Sequence, residues 1–410
     1  MDKELMMVPR LERGQWANQI TAKLVFSRLS ALTSGALEFS WAGQKARFGR
    51  STRDDLVARA TVLDGAMFRK LLAGGTIGAA ESYMDGDWCA DDLTNLLRIF
   101  ARDAQLVEGL EQGLSRFGRA LSGLYHATRR NTREGSRSNI EAHYDLGNDF
   151  FELMLDETMT YSAGVFEHEE SSLKAASIRK LDLLCQKLDL RPGQHLLEIG
   201  TGWGSLAIHA AQNYGCRVTT TTISKAQRAW AIEKIRAKGL DGRITVLDQD
   251  YRDLGGQYDK IVSCEMIEAI GHQQYATFFE RCAARLAPGG LLALQVITIR
   301  DQLYERAKNE VDFIKRYIFP GSCIPSATVL HEAATAHDFV MRRYDDYTPH
   351  YARTLRAWRE NLAPHRARVV EKYGERFWRM WNFYLSYCEA GFSEKYIGSA
   401  QMLFERGDSR

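Results

Sequence analysis

No stretch of this sequence approaches the ~20 consecutive apolar residues that a membrane-spanning helix needs, and its first residues lack the apolar core of a secretory leader. The chain is therefore expected to be soluble and cytoplasmic. Its seven cysteines, Cys89, Cys185, Cys216, Cys264, Cys282, Cys323 and Cys388, are odd in number and never stand as a C-x-x-C pair. That fits reduced thiols and argues against a disulfide framework or a zinc site, so no metal is expected. Only 7 prolines and 33 glycines argue against long disordered linkers. A net charge of +2 is too small to favour nucleic acid as a partner.

What is present is an ordinary globular composition, with 45% hydrophobic and 26% charged residues. At 410 residues the chain suggests two domains, since single cores rarely grow beyond roughly 250–300 residues. The organising stretch is Gln194–Ala211. An apolar strand, His195-Leu196-Leu197, leads into Glu198-x-Gly200-x-Gly202-x-Gly204, and a helical run begins at Ser205. Glycines at alternate positions let backbone turn tightly and approach a ligand. The third glycine comes one residue too early for the pyrophosphate-binding Gly-x-Gly-x-x-Gly pattern. Acid-x-Gly-x-Gly-x-Gly instead resembles the first motif of S-adenosylmethionine-dependent methyltransferases.

The chain reads in three parts. Residues 1–115 look like a small α+β module, with strands at Ala36–Ala42, Ala46–Phe48 and Ala60–Leu63, and a helix from Leu93 capped by Asp91-Asp92. Residues 116–138 form a basic linker. In it Arg116, Arg119, Arg129, Arg130, Arg133 and Arg137 face only Glu134, a composition suited to an interdomain linker or to anionic phospholipid headgroups. Residues 139–410 begin with the motif His143–Phe151 and Met159–Ser162, a candidate lid. Strands at 216–223, 243–250, 258–266 and 291–299 then alternate with helical segments, which implies a parallel α/β sheet. Ligands in such sheets bind at the carboxyl ends of the strands. Gly200–Gly204, Thr222, Asp250, Glu268 and Gln295–Ile297 all fall there. The second strand ends in Thr221-Thr222 with no acid, so ribose hydroxyls would fall to Thr222 and Gln227. Residues 301–410 look mostly helical and aromatic, suited to a core or to the lining of an apolar channel.

These motifs together resemble the cyclopropane-fatty-acyl-phospholipid synthases and the mycolic acid cyclopropane synthases. The resemblance is most specific at His143–Asn148, Met159–Ser162, Glu198–Gly204, Thr222-Ile223-Ser224, Glu265-Met266-Ile267-Glu268 and Tyr317–Ser322. It implies a Rossmann-like methyltransferase domain and a smaller N-terminal lipid-binding α+β domain. By matching motifs, Tyr144, Tyr161, Ser162, Gly200, Gly202, Thr222, Gln227 and Tyr251 would contact S-adenosylmethionine. Glu198, Gly204 and Asp250 complete that set. Glu268 and Tyr384 would belong to a pocket for bicarbonate, the family's base, with Gln295 and the backbone of Ile297 as donors. The sequence departs from the phospholipid enzymes at Ala163, Ala269 and Gln295, where they carry Cys, His and His.

The implied reaction adds a methylene from S-adenosylmethionine to the cis double bond of a phospholipid acyl chain. Two rivals stand beside it: a C-methyltransferase giving a methyl-branched or methylene chain, and a non-catalytic lipid-binding protein. Glu268 is expected to matter most for turnover, with Glu265 milder. The implied partners are the acyl chain and, by peripheral contact, an anionic membrane; a homodimer is left open.

Overall fold

The computed structural model describes residues 13–50, 54, 56–103, 106–107 and 146–407. The chain divides into two compact units, Met1–Leu121 with Tyr373–Phe383, and Ser122–Lys372 with Tyr384–Arg410. The basic stretch Arg116–Arg137 and the residues His143, Tyr144 and Asp145 lie outside the described residues.

The first unit runs α1 (Arg13–Leu29), β1 (Ala36–Trp41), β2 (Gln44–Gly49), β3 (Val57–Val62), α2 (Ala66–Met84), β4 (Trp88–Ala90) and α3 (Leu93–Arg102). Its sheet has the order β2-β1-β3-β4, with β1 and β3 parallel and the other pairs antiparallel. The β1–β2 hairpin turns on Ala42 and Gly43, both at positive φ (50° and 75°). That twist matches the flanking strands. Phe68 of α2 is fully buried and packs edge-on against Phe26 and Trp41. Asp92 caps α3 by accepting from the Asn95 N–H at 2.9 Å, as its place before an apolar run suggested.

The second unit opens with α4 (Asn148–Met154) and α5 (Leu173–Lys187). Then follow β5 (His195–Ile199), α6 (Ser205–Asn213), β6 (Arg217–Thr221), α7 (Lys225–Ala237), β7 (Ile244–Leu247), β8 (Tyr258–Cys264), α8 (Tyr275–Arg285) and β9 (Leu286–Ile299). After β9 come α9 (Asp301–Asn309), α10 (Ala327–Thr335), β10 (Phe339–Asp346), α11 (Thr348–Leu362), α12 (Arg366–Tyr373), α13 (Glu375–Ser393), whose residues up to Phe383 belong to the first unit, and β11 (Ile397–Arg406). Seven strands lie in the order β10-β11-β9-β8-β5-β6-β7. The five from β9 to β7 are parallel; β11 runs antiparallel to both of its neighbours. The fold is α/β and Rossmann-like.

Period-two alternation divides the core between the two faces. Leu196 packs with Leu184, Leu206 and Val218, whereas its neighbour Leu197 packs with Phe278, Leu292 and Phe404. The C-terminal stretch is mostly helical as expected, but it also supplies β10 and β11. Seven consecutive residues of β10, Val340–Asp346, are exposed or half-buried. An edge strand so solvated carries no hydrophobic alternation to announce it.

Candidate active site

Beyond β5 the glycines adopt φ of 104° (Gly200), 52° (Gly202) and 93° (Gly204). The Gly200 and Thr201 N–H groups donate to the Thr221 carbonyl at 3.1 and 3.0 Å, which ties the loop to the end of β6. A Cβ on Gly200 would meet the Met266 side chain at 3.3 Å, and one on Gly204 would meet Ala231 at 3.2 Å. A Cβ on Gly202 would meet nothing within 4 Å. Two glycines are therefore needed for packing, and Gly202 faces open space. Glu198 is buried beneath the loop with Oε2 unpartnered, and burial pushes its carboxyl up to about 8. The Thr222 hydroxyl donates to Gln227 Oε1 at 3.3 Å, so the two expected ribose-binding residues sit together. Ser224 caps α7 by accepting from the Gln227 N–H. Asp250 is already engaged: Arg252 donates to its two oxygens at 2.7 and 2.6 Å. The Tyr251 hydroxyl is buried without a hydrogen-bond partner, and its ring packs on Phe278.

The segment before β5 folds onto this loop. Trp203 Nε1 donates to Asn148 Oδ1 at 2.8 Å, and the Ser205 hydroxyl donates to the Thr158 carbonyl. Tyr161 packs between Phe151 and Trp358, with ring centroids 5.3 and 5.1 Å away. Ser162 accepts from Lys180 Nζ at 2.7 Å. Lys180 is only 1% exposed, and its ammonium also reaches Cys264 Sγ at 3.3 Å. Such a buried cation requires anions near it. Glu265 supplies one, and the lysine draws both the Glu265 and the Glu198 carboxyls downward against the upward push of burial.

Two glutamates follow β8. Glu265 has φ of 49°, a conformation that only a few per cent of non-glycine residues adopt. Its Oε1 accepts from the Ala163 N–H at 3.0 Å and from Gln295 Nε2 at 2.8 Å, and its Oε2 accepts from the Tyr351 hydroxyl at 2.6 Å. Glu268 is buried; its Oε1 accepts from the Ile297 N–H and its Oε2 has no partner. Burial first, and then the charge of Glu265, push the Glu268 carboxyl up to about 8. Gln295 is fully engaged. Its second N–H donates to the Ala163 carbonyl at 3.1 Å, and its Oε1 accepts from Gln401 Nε2 at 2.9 Å. Gln401 Oε1 in turn accepts from Lys187.

Glu268, Gln295 and Ile297 therefore converge as the sequence suggested, but the tyrosine on a site carboxylate is Tyr351. Tyr384 shares a hydrogen bond with Tyr161 at 2.8 Å instead. Tyr351, Lys180 and Gln401 were not anticipated. No sequence pattern marks Lys180 or Tyr351, because each meets its partners only through the fold.

Comparison with known proteins decides the family. Residues 131–402 match the family model described as mycolic acid cyclopropane synthetase. The chain belongs to that family. Its relatives include the cyclopropane-fatty-acyl-phospholipid synthase of Escherichia coli, 37% identical over 342 residues, covering 83% of this chain and 86% of that one. The tuberculostearic acid methyltransferase UfaA1 of Mycobacterium tuberculosis is also 37% identical, covering 81% of this chain and 79% of its own. Among solved structures, the cyclopropane synthase MmaA2 from M. tuberculosis superposes with a TM-score of 0.62 at 34% identity, over 66% of this chain and 98% of that one. CmaA1, solved with SAH and CTAB, gives the same TM-score at 32% identity over the same shares.

Proposed function

We propose that this chain uses S-adenosylmethionine to add a methylene across the cis double bond of an unsaturated phospholipid acyl chain, giving a cyclopropane. The observation that carries this reading is the open space at Gly202, whose chain neighbour Trp203 belongs to a wall of aromatic rings. The residues fit the cofactor. Gly202 leaves room for a ligand against the backbone. Thr222 and Gln227 offer paired polar groups at the end of β6. S-adenosylmethionine, when bound, supplies an electrophilic sulfonium methyl.

Phe151, Tyr161, Trp203 and Trp358 form a connected aromatic wall. Such a wall keeps water from a reactive carbocation and offers ring faces to its charge. Placement matters as much, because an alkene is a poor nucleophile. Ser162 is held by Lys180 at this wall, and Tyr161 by Tyr384.

Bicarbonate does not fit as the resemblance implied. Both N–H groups of Gln295 are spent on Glu265 and Ala163, and the Ile297 N–H is spent on Glu268. No step is assigned to it.

The N-terminal unit is read as lipid-binding, supported by the exposed Ile20, Leu24 and Leu63. The basic stretch Arg116–Arg137 is read as the contact with anionic headgroups, each Arg contributing about 1 kcal/mol near the surface. A second reading, a methyl-branched or methylene product, is favoured by the equal likeness to a protein named as a tuberculostearic acid methyltransferase. The test is incubation with S-adenosylmethionine and vesicles of an unsaturated phospholipid. The expected result is S-adenosylhomocysteine together with acyl chains heavier by one methylene and resistant to ozonolysis. A product that ozone still cleaves selects the second reading.

A further inference from the structure

We infer that the carboxylate of Glu265 is the built-in base of this enzyme and takes the place of a bicarbonate ion. The inference rests on the reading above, and it begins from the donors. Ala163 N, Gln295 Nε2 and Tyr351 Oη converge on one point between the end of β8, the segment before α5 and the start of α11. That point holds the two oxygens of Glu265 at 2.6–3.0 Å. Three converging donors make a site for a small planar anion, and the chain fills it with its own carboxylate.

Two further observations support this. The backbone is bent to deliver the side chain, since Glu265 sits at φ of 49° and its N–H is held to the Gln295 carbonyl at 2.7 Å. Backbone strain of this kind persists only where the surroundings over-determine it. The donors are also fixed in direction. Lys187 can only donate, so Gln401 Oε1 accepts from it, Gln401 Nε2 donates to Gln295 Oε1, and Gln295 Nε2 must point at Glu265. Burial pushes the Glu265 carboxyl up, and the chain of donors that ends on it works against that push and favours its ionised form. Glu268, two bonds poorer in donors and facing the charge of Glu265, is the member of the pair that stays neutral.

The step itself balances. Once the double bond has gained the methyl group, the positive charge lies on the adjacent carbon. One C–H bond of that methyl breaks, its electron pair forms the third ring bond, and the proton passes to a Glu265 oxygen. It leaves to water with the product. A proton next to a carbocation is acidic enough for a weak, well-solvated carboxylate to accept it. The carboxylate has about four lone-pair positions, and three are used by the donors named.

The test compares wild type, Glu265→Gln, Glu265→Gly and Glu268→Gln in bicarbonate-free buffer and with added bicarbonate or formate. Glycine suits the positive φ, so Glu265→Gly keeps the backbone and vacates the anion site. Wild-type turnover is expected to be indifferent to bicarbonate. Glu265→Gln is expected to lose about 10²–10⁴-fold in kcat, with cofactor affinity by calorimetry kept within about threefold. Glu268→Gln, which mimics a neutral acid, is expected to lose less than about tenfold. Glu265→Gly is expected to be inactive alone and to regain turnover with bicarbonate or formate. Wild-type turnover that collapses without bicarbonate, full activity in Glu265→Gln, or a Glu265→Gly enzyme that neither anion rescues overturns the assignment. Failure of the wild type to form S-adenosylhomocysteine from lipid under any buffer is a different result, and it sinks the functional reading instead.

Discussion

Gln401 joins the largely buried Lys187–Asp345 ion pair to the interior of the site, and changing it tests the hydrogen-bond direction on which the site depends. Its side chain is fully buried, accepting from Lys187 and donating to Gln295 Oε1. In Gln401→Leu, Lys187 keeps Asp345 at 2.8 Å and Tyr347 at 3.2 Å, so the cation is not abandoned. Gln295 Oε1 does lose its donor inside the protein. An orphaned buried acceptor costs about 1–3 kcal/mol, and for a domain of this size each kcal/mol lowers Tm by roughly 2–4 °C. Gln401→Glu is nearly isosteric and still accepts from Lys187, yet it sets an acceptor against Gln295 Oε1. The only relief is a flip of the Gln295 amide, which turns its oxygen onto Glu265 Oε1 and the Ala163 carbonyl. Gln401→Glu is therefore expected to unfold at least as readily as Gln401→Leu at pH 8, with the gap closing as pH falls and the new carboxyl takes a proton. Denaturant unfolding across pH reads this directly. A Gln401→Glu protein as stable as wild type at pH 8 refutes the polarity argument.

The buried acid Glu198, with a folded value of about 8 against 4.5 for the free group, binds a proton in the native state that the unfolded chain has lost. Its contribution to stability is present below pH 4.5 and falls as pH rises towards 8; Glu198→Gln should flatten that slope in chemical denaturation, and an unchanged slope counts against it. Gly202→Val should abolish S-adenosylmethionine binding in calorimetry while leaving a folded protein destabilised by roughly 1–3 kcal/mol from the positive φ; near-wild-type affinity would show that the loop is misassigned. Neutralising Arg129, Arg130 and Arg133 should weaken sedimentation with anionic vesicles, and wild-type binding should fall with salt; unchanged sedimentation would leave the segment a linker.

The parts of this protein written in local pattern were legible. A strand, three spaced glycines and a helix announced the glycine loop after β5, and Asp92 announced the start of α3. Convergence at the strand ends brought Glu268, Gln295 and Ile297 into one candidate site. The parts written in distance were not. Glu265 meets Ala163 across 102 residues and Tyr351 across 86, and no local spacing carries such a contact. Lys180 lies on α5, and only the packing of α5 under the Ser162 segment buries it. Tyr384 was named through the resemblance, and Tyr351 reaches Glu265 only through the fold. The strands β10 and β11 were missed for the opposite reasons: one is solvated at the sheet edge, and the other follows directly on a long helix.

The most direct measurement of the central claim is the mass and ozone sensitivity of acyl chains recovered from unsaturated phospholipid vesicles after incubation with the purified protein and S-adenosylmethionine. The account predicts chains heavier by one methylene that ozone no longer cleaves, with one S-adenosylhomocysteine formed per modified chain. Unaltered acyl chains, with no S-adenosylhomocysteine above the level seen without lipid, would contradict it.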